Sequence, residues 1–177
     1  MIRLFCLLLY KTIFTHFPGS TFPVLGKTSK KIRYILCKRI FKKCGTNVNI
    51  EKGASFGYGS QIEIGNNSGL GKYCRIPPNT IIGDNVMMAP YVTIYASNHA
   101  FERTDIPMNQ QGISAIKQTI IEDDVWIGAH VIMTPGRYIR KGTIIAAGTV
   151  LTKDFPEYSI VGGNPSRLIK SRIKNPQ

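Results

Sequence analysis

Residues 120–136 read IIEDDVWIGAHVIMTPG, and an apolar residue recurs in them at every sixth position, at Ile121, Ile127 and Met133. The series continues through Ile139, Ile145 and Leu151, and an earlier block repeats it at Ile64, Leu70, Ile76, Ile82, Met88 and Ile94. A period of six fits neither a helix nor a long strand. Self-similarity at a fixed period indicates a repeat architecture. We therefore predict a β-helix whose short sides each point one aliphatic residue inward.

Small and turn-forming residues fall between the apolar positions. IGNN at 64–67 and IGDN at 82–85 place Gly and Asn where a coil would turn. These residues tolerate the backbone conformations that corners need. The stacked coils bury a continuous column, so we expect the first coil to be covered by a cap.

The two blocks are out of phase. Ile94 and Ile121 are 27 positions apart, and residues 100–119 (AFERTDIPMNQQGISAIKQT) carry no repeat. A long loop that leaves a regular solenoid is usually functional. His99 stands immediately before this loop, which makes it a candidate functional residue or a surface histidine at a loop root.

Three stretches carry a family resemblance: IGDNVMMAPYVTIYASNHAF (82–101), IIEDDVWIGAHVIMTPG (120–136) and AAGTVLTKDFPEYSIVGGNPSRLIK (146–170). Over residues 44–170 the chain resembles the hexapeptide-repeat O-acetyltransferases of the maltose, galactoside and nodulation-factor group, and especially those of bacterial surface polysaccharides. The resemblance implies an all-β, left-handed parallel β-helix. It also implies a homotrimer with active sites between subunits, which transfers acetyl from acetyl-CoA to a sugar hydroxyl of a polysaccharide or its precursor.

The resemblance assigns the role of general base to His99. A sugar hydroxyl needs a base to remove its proton, and a neutral imidazole is suited to this near neutral pH. Only two other histidines exist, His16 and His130, and neither matches a catalytic position. Three histidines this far apart give no zinc-ligand pattern, so we expect no metal.

Seven residues match the family's acetyl-CoA contacts. Ala129 and Ala147 lie 18 residues apart and match the positions beside the pantetheine arm, and Trp126 precedes the first of them. Thr152 and Lys153 match the nucleotide end, while Arg167 and Lys170 match basic positions near the phosphates. A buried structural Trp126 and a solvated basic tail remain as alternatives.

Several residues depart from the family pattern. Residues 72–75 (KYCR) replace a small polar residue near the acceptor, which leaves the acceptor open between a sugar, an amine such as a nucleotide amino sugar or serine, and an antibiotic. Arg137 and Arg140 stand where inward or corner positions are normally small. A non-catalytic solenoid is a further alternative, but it leaves the interrupted repeat and His99 unexplained.

The positive charge lies at both ends of the chain. Residues 1–43 contain ten Lys or Arg and no acid, residues 44–166 contain nine bases and ten acids, and residues 167–177 contain four bases and no acid. We therefore expect no nucleic-acid partner for the body, and an anionic surface or ligand for the ends.

The N-terminal 43 residues form a separate segment. Their apolar run, Leu4 to Tyr10, lacks a cleavage site and is too short to span a membrane. We predict a linker at 18–30 and a basic amphipathic helix at 30–43, with Ile32, Ile35, Leu36 and Ile40 on its apolar side and Lys and Arg on the other, solvent-facing side. This segment would cap the coil or contact a membrane surface. Residues 171–177 form a basic tail, and four unclustered cysteines favour a cytoplasmic protein with reduced thiols.

Overall fold

The computed structural model describes residues 1–173, which form an N-terminal pair of helices and a left-handed parallel β-helix of about six turns. Helix α1 spans Ile2–Leu9 and continues into a π-helical turn, Tyr10–Phe14; α2 spans Gly26–Ile40, and a 3-10 turn spans Met108–Gln110. The strands are β1 Lys43–Cys44, β2 Asn49–Ile50, β3 Glu63–Ile64, β4 Gly69–Leu70, β5 Ile81–Ile82, β6 Met87–Met88, β7 Thr93–Ile94, β8 Ile120–Ile121, β9 Trp126–Ile127, β10 Ile132–Met133, β11 Tyr138–Ile139, β12 Ile144–Ile145, β13 Val150–Leu151, β14 Ser159–Gly162 and β15 Arg167–Ser171.

The strands stack into three faces. Face A contains β1, β3, β5, β8 and β11; face B contains β2, β4, β6, β9, β12 and β14; and face C contains β7, β10 and β13. Single bridges from Ser55 through Arg75 to Thr93 extend face C to the first coil. The pairing is parallel except where β15 returns antiparallel along β14. We name the turns between faces corner AB, corner BC and corner CA.

The residues that recur at every sixth position form the core of the coil. The second residue of each two-residue strand points inward, and each of the twelve repeat positions, from Ile64 to Leu151, is at most 9% exposed. Stacking from coil to coil joins these side chains into one buried column. The predicted β-helix is confirmed.

The backbone is left-handed at the corners, and residue types other than the predicted Gly and Asn also adopt this conformation. Asn67, Asn85 and Asp124 have φ of 54–57° at corner AB. Tyr73, Tyr91 and His130 have φ of 55–62° at corner BC. Asn and Asp tolerate this region, whereas Tyr and His pay a steric penalty that the stacking of neighbouring coils must offset.

Helix α2 differs from its prediction. It begins at Gly26, inside the predicted linker, and Ile35 is exposed rather than packed. The prediction was also wrong for Arg33, placed on the solvated side, because its guanidinium is completely buried. Its Nε donates to the carbonyl of Ile50 at 2.6 Å, and Nη1 donates to the carbonyl of Pro18 at 3.0 Å.

The helices cover the first coil. Helix α2 lies against β1 and β2, and α1 packs on α2. Tyr10, just after α1, is buried on Phe56 and donates its hydroxyl hydrogen to the carbonyl of Ala54 at 2.7 Å. Among residues 1–173, no helix is both long and apolar enough to cross a membrane.

Candidate active site

His99 lies on the first part of the loop that leaves corner CA between β7 and β8. Two chain segments pair at the root of this loop: the amide of Lys117 donates to the carbonyl of Ala96 at 2.7 Å, and that of Ser114 donates to the carbonyl of Asn98 at 2.8 Å. His99 itself forms an antiparallel bridge with Ile113. The backbone of His99 is therefore held by a short ladder, while its side chain is exposed.

An open groove adjoins the root of the loop. It has a volume of about 340 Å³ and lies on the outer side of face C. Arg75, Thr93, Tyr95 and Ser97 contribute to its wall. Arg75 belongs to the segment that departs from the family pattern, and the groove that it lines extends to Ser97, two residues before His99 in the chain.

Ala129 and Ala147 lie at corner BC in successive coils. The amide of Gly148 donates to the carbonyl of Ala129 at 2.8 Å, which joins the two successive coils at this corner. A side chain at Gly128 would place Cβ 2.5 Å from the amide nitrogen of Ala147, whereas one at Gly148 would meet nothing within 4 Å. The corner is tightly stacked, but its outer edge is open to an extended ligand.

Trp126 lies on the outer side of face B, just before this corner. It is 49% exposed, so the buried structural alternative is wrong. Its cross-strand neighbours are Met87 and Ile144, and the row continues through Ile160 to Lys170. Directly paired residues project to the same side of a sheet, so Lys170 extends the row that contains Trp126.

Arg167 lies at the C-terminal end of the same edge. It pairs with Gly162, and a Cβ at Gly162 would lie 3.3 Å from the Cβ of Ala146 in the coil before. Arg167 and Lys170 are exposed, and neither forms an ion pair within residues 1–173. Arg172, by contrast, lies 3.3 Å from Asp124.

Thr152 and Lys153 lie at corner CA, across face C from the alanines. The amide of Thr152 donates to Ser166 Oγ at 3.1 Å, and Lys153 Nζ lies 5.6 Å from the ring centroid of Phe155. The eight predicted residues therefore fall into two groups. His99, Thr152 and Lys153 lie at corner CA; Trp126, Ala129, Ala147, Arg167 and Lys170 lie on face B and corner BC. Face C separates His99, Thr152 and Lys153 from the two alanines, whereas Arg167 directly follows Ser166, the residue that Thr152 contacts.

The two unusual arginines brace the coil. Arg137 donates from Nη1 to the carbonyl of Thr152 at 2.9 Å and lies 3.4 Å from Asp154. Arg140 lies over the ring of Tyr138, 4.3 Å from its centroid. The Tyr138 hydroxyl donates to Glu122 at 2.6 Å, and this hydrogen bond holds the pKa of the Glu122 carboxyl below its usual value.

The aromatic column at corner BC was not predicted. Tyr73 stacks on Tyr91, and Tyr91 stacks on His130, with centroids 5.4 Å and 4.8 Å apart. The column runs along the edge that carries Ala129. The 18-residue spacing of Tyr73 and Tyr91, equal to one coil, is the sequence signal that predicts their stacking.

Among residues 1–173, no three His, Cys, Asp or Glu side chains lie close enough together to hold a metal ion, and all four cysteines are free.

Comparisons with known proteins agree with this fold. Residues 62–96 and 118–153 match the family described as bacterial transferase hexapeptide (six repeats). Galactoside O-acetyltransferase from Escherichia coli is 34% identical over 140 residues, which are 78% of this chain and 68% of that protein.

Two solved structures share the fold over nearly the whole chain. A maltose O-acetyltransferase from Clostridium difficile has a TM-score of 0.77 and 31% identity, covering 97% of this chain and 87% of that one. A galactoside acetyltransferase in complex with coenzyme A has a TM-score of 0.75 and 31% identity, covering 96% and 80%. The chain therefore belongs to the hexapeptide-repeat family of transferases, and it is an acetyltransferase.

Proposed function

We propose that the protein transfers the acetyl group of acetyl-CoA to a hydroxyl of a sugar in a surface polysaccharide or its precursor, in the cytoplasm, with His99 as general base. The observation that carries the proposal is the exposed imidazole on a hydrogen-bonded loop root, in a fold whose opposite corner offers an open edge. The galactoside and maltose O-acetyltransferases among the relatives support a sugar acceptor.

The reaction needs one proton carrier. His99 removes the proton of the acceptor hydroxyl as its oxygen bonds to the thioester carbonyl carbon. The C–S bond then breaks, and the imidazolium returns the proton to the departing thiolate. The products are the acetyl ester and CoA, and the histidine ends in its starting state. A positioned base of this kind contributes roughly 10²–10⁴-fold to the rate.

The other predicted residues would hold acetyl-CoA. Ala129 and Ala147 leave the backbone of corner BC accessible to the pantetheine arm, and Trp126 lies beside this corner. Arg167 and Lys170 offer unpaired positive charge to the phosphates at the C-terminal end of the edge. With the phosphates at that end, the thioester would lie toward the coils nearer the N-terminus, at the level of His99 and the groove beside Arg75.

We also propose that the site is shared by two subunits of a homotrimer. Within one chain, His99 and Ala129 lie at opposite corners of face C. A neighbouring copy that presents corner CA to corner BC would join the two groups of residues. Thr152 and Lys153 would then approach the cofactor from the same subunit as His99.

The test compares His99→Ala with His16→Ala, an exposed histidine of the N-terminal segment. We expect kcat to fall roughly 10²–10⁴-fold for His99→Ala alone, with an unchanged Kd for acetyl-CoA. Wild-type turnover by His99→Ala would contradict the mechanism. A panel of acceptors tests the substrate class, and turnover of amines without any sugar alcohol would contradict O-acetyl transfer.

A further inference from the structure

Helix α1 is apolar on both of its sides, but only one side is covered. Cys6, Leu7 and Tyr10 face the body and are at most 9% exposed. On the opposite side, Leu4 and Leu8 are 70% and 59% exposed. A helix that is apolar all round is normally buried, so this outer side is incomplete in the isolated chain.

The exposed apolar side continues around the start of the chain. Ile2 and Phe5 are 70% and 61% exposed, and Ile13, in the turn that follows α1, is 44% exposed. We call Ile2, Leu4, Phe5, Leu8 and Ile13 the α1 apolar surface. Scattered single apolar side chains need no explanation, but a contiguous group on one short helix indicates an interaction surface.

The charge around this surface has one sign. Arg3 and Lys11 are exposed on the same helical segment, and the first acid of the chain is Glu51. Among the ten bases of residues 1–43, only Arg33 and Lys42 lie within 4.0 Å of a carboxylate in residues 1–173. The partner that covers the α1 apolar surface must therefore accept both hydrocarbon and several uncompensated positive charges.

We propose that α1 docks flat on an anionic lipid surface. Residues 2–14 extend about 20 Å, which is shorter than the roughly 30 Å hydrocarbon core, so the segment lies in the interface instead of crossing it. The leucines enter the boundary between headgroups and acyl chains, while Arg3 and Lys11 meet lipid phosphates. A symmetric contact between two copies of this surface fits less well, because it would bring two acid-free basic segments together.

The experiment is flotation of the full-length protein with vesicles of phosphatidylcholine, with or without phosphatidylglycerol. We expect the protein to float with the anionic vesicles only, and to be released by high salt. The Leu4→Ser/Leu8→Ser variant should lose more than roughly tenfold in partitioning, because it removes two inserted side chains. Its matched control, Ile116→Ser/Ile173→Ser, removes two side chains of similar exposure elsewhere and should float like wild type.

A charge variant tests the second half of the proposal and keeps every apolar side chain. Arg3→Gln/Lys11→Gln should weaken partitioning to anionic vesicles about 30-fold, at about 1 kcal/mol per base. The proposal is overturned if either variant floats with anionic vesicles as well as wild type does. It is also overturned if wild type binds neutral vesicles as well as anionic ones. A changed oligomeric state of Leu4→Ser/Leu8→Ser, measured by light scattering, would instead assign the surface to a subunit contact. Acetyl transfer to soluble acceptors is independent of these outcomes.

Discussion

The imidazole of His130 stacks on the phenol ring of Tyr91, with centroids 4.8 Å apart and planes 11° apart. Both residues have left-handed backbone, with φ of 59° and 62°. The backbone strain at corner BC and the side-chain stacking thus occur at the same positions, and the stacking offsets the strain.

This relationship predicts unequal effects of two substitutions at His130. His130→Gly removes a stack worth about 0.5–1.5 kcal/mol but also relieves roughly 1–2 kcal/mol of left-handed strain, so stability should change little. His130→Val loses the stack and introduces a β-branched residue at positive φ, so it should lower the free energy of unfolding by about 2 kcal/mol or more. Urea unfolding measures both, and equal loss in the two variants would contradict the compensation.

The glycines at corner BC, the proposed edge for acetyl-CoA, should differ sharply. Gly128→Ala places a Cβ 2.5 Å from the backbone of Ala147 and must separate two coils, which we expect to cost about 1–3 kcal/mol and to weaken acetyl-CoA binding. Gly148→Ala has open space around its Cβ and should cost only its positive φ, roughly 1 kcal/mol. Thermal unfolding and calorimetry with CoA compare them. Tighter CoA binding by Gly128→Ala than by Gly148→Ala would show that the spacing of these coils is unimportant.

Removing the buried guanidinium should disconnect the helices from the coil. Arg33→Ala leaves the carbonyls of Ile50, Phe17 and Pro18 without their donor, and Glu51 without its nearest cation. We expect a loss of roughly 3 kcal/mol or more in stability. Arg39→Ala, on the exposed side of the same helix, should stay within about 0.5 kcal/mol of wild type. A similar change in both midpoints of denaturation would refute this role for Arg33.

The Glu51 carboxylate should make stability depend on pH. Burial acts to raise its pKa, but hydrogen bonds from the Ser20 hydroxyl and amide and from Asn49 outweigh burial and hold the pKa below the usual value. A lowered pKa in the folded state contributes stability above the unfolded value, near 4.5, and that contribution disappears as pH falls through the folded value. Glu51→Gln should therefore be less stable than wild type at neutral pH.

The difference between Glu51→Gln and wild type should shrink as the pH is lowered below about 4.5. Denaturation curves at a series of pH values give this difference directly. A stability gap that stays constant from neutral to acidic pH would exclude a charged, hydrogen-bonded Glu51.

A shared active site predicts complementation. His99→Ala and Ala147→Trp should each be inactive alone, the second because an indole on an exposed corner position blocks the pantetheine path. Co-expression of the two variants should restore activity. Random mixing leaves about a quarter of the shared sites with an unsubstituted His99 from one chain and an unsubstituted Ala147 from its neighbour. Mixed assemblies without activity, when each variant is folded and trimeric, would place both residues in one subunit's site.

The sequence predicts what depends on local period and misses what depends on distant partners. The inward aliphatic residues recur because every coil repeats the same geometry. The start of α2 was missed because Gly26 reads as a linker residue, although its role is close packing: a Cβ there would lie 2.4 Å from the carbonyl oxygen of Ser20. Arg33 was placed in solvent because its partners lie 15 to 17 residues away along the chain.

The candidate site also has features that the sequence predicts and features that it does not. The roles of His99 and Ala129 come from the family resemblance, since a lone histidine at a loop root is not specific. Their separation by face C required the topology, because residue spacing does not say on which corner each lies. The spacing of Tyr73 and Tyr91 is visible in the sequence, but His130 joins their column from beyond the loop, at a spacing that is no multiple of a coil.

The corners differ in one further property, the freedom to change length. At corners AB and BC each complete coil uses four residues, as at 83–86 and 89–92, because stacked left-handed positions must stay in register. At corner CA the chain uses 77–80 in one coil but 57–62 in another, and it expands to 95–119 beside His99. Insertions and deletions are thus confined to one edge. Under the proposed function, loops grafted there would reshape acceptor selection, while the edge with Ala129 and Ala147 keeps its form.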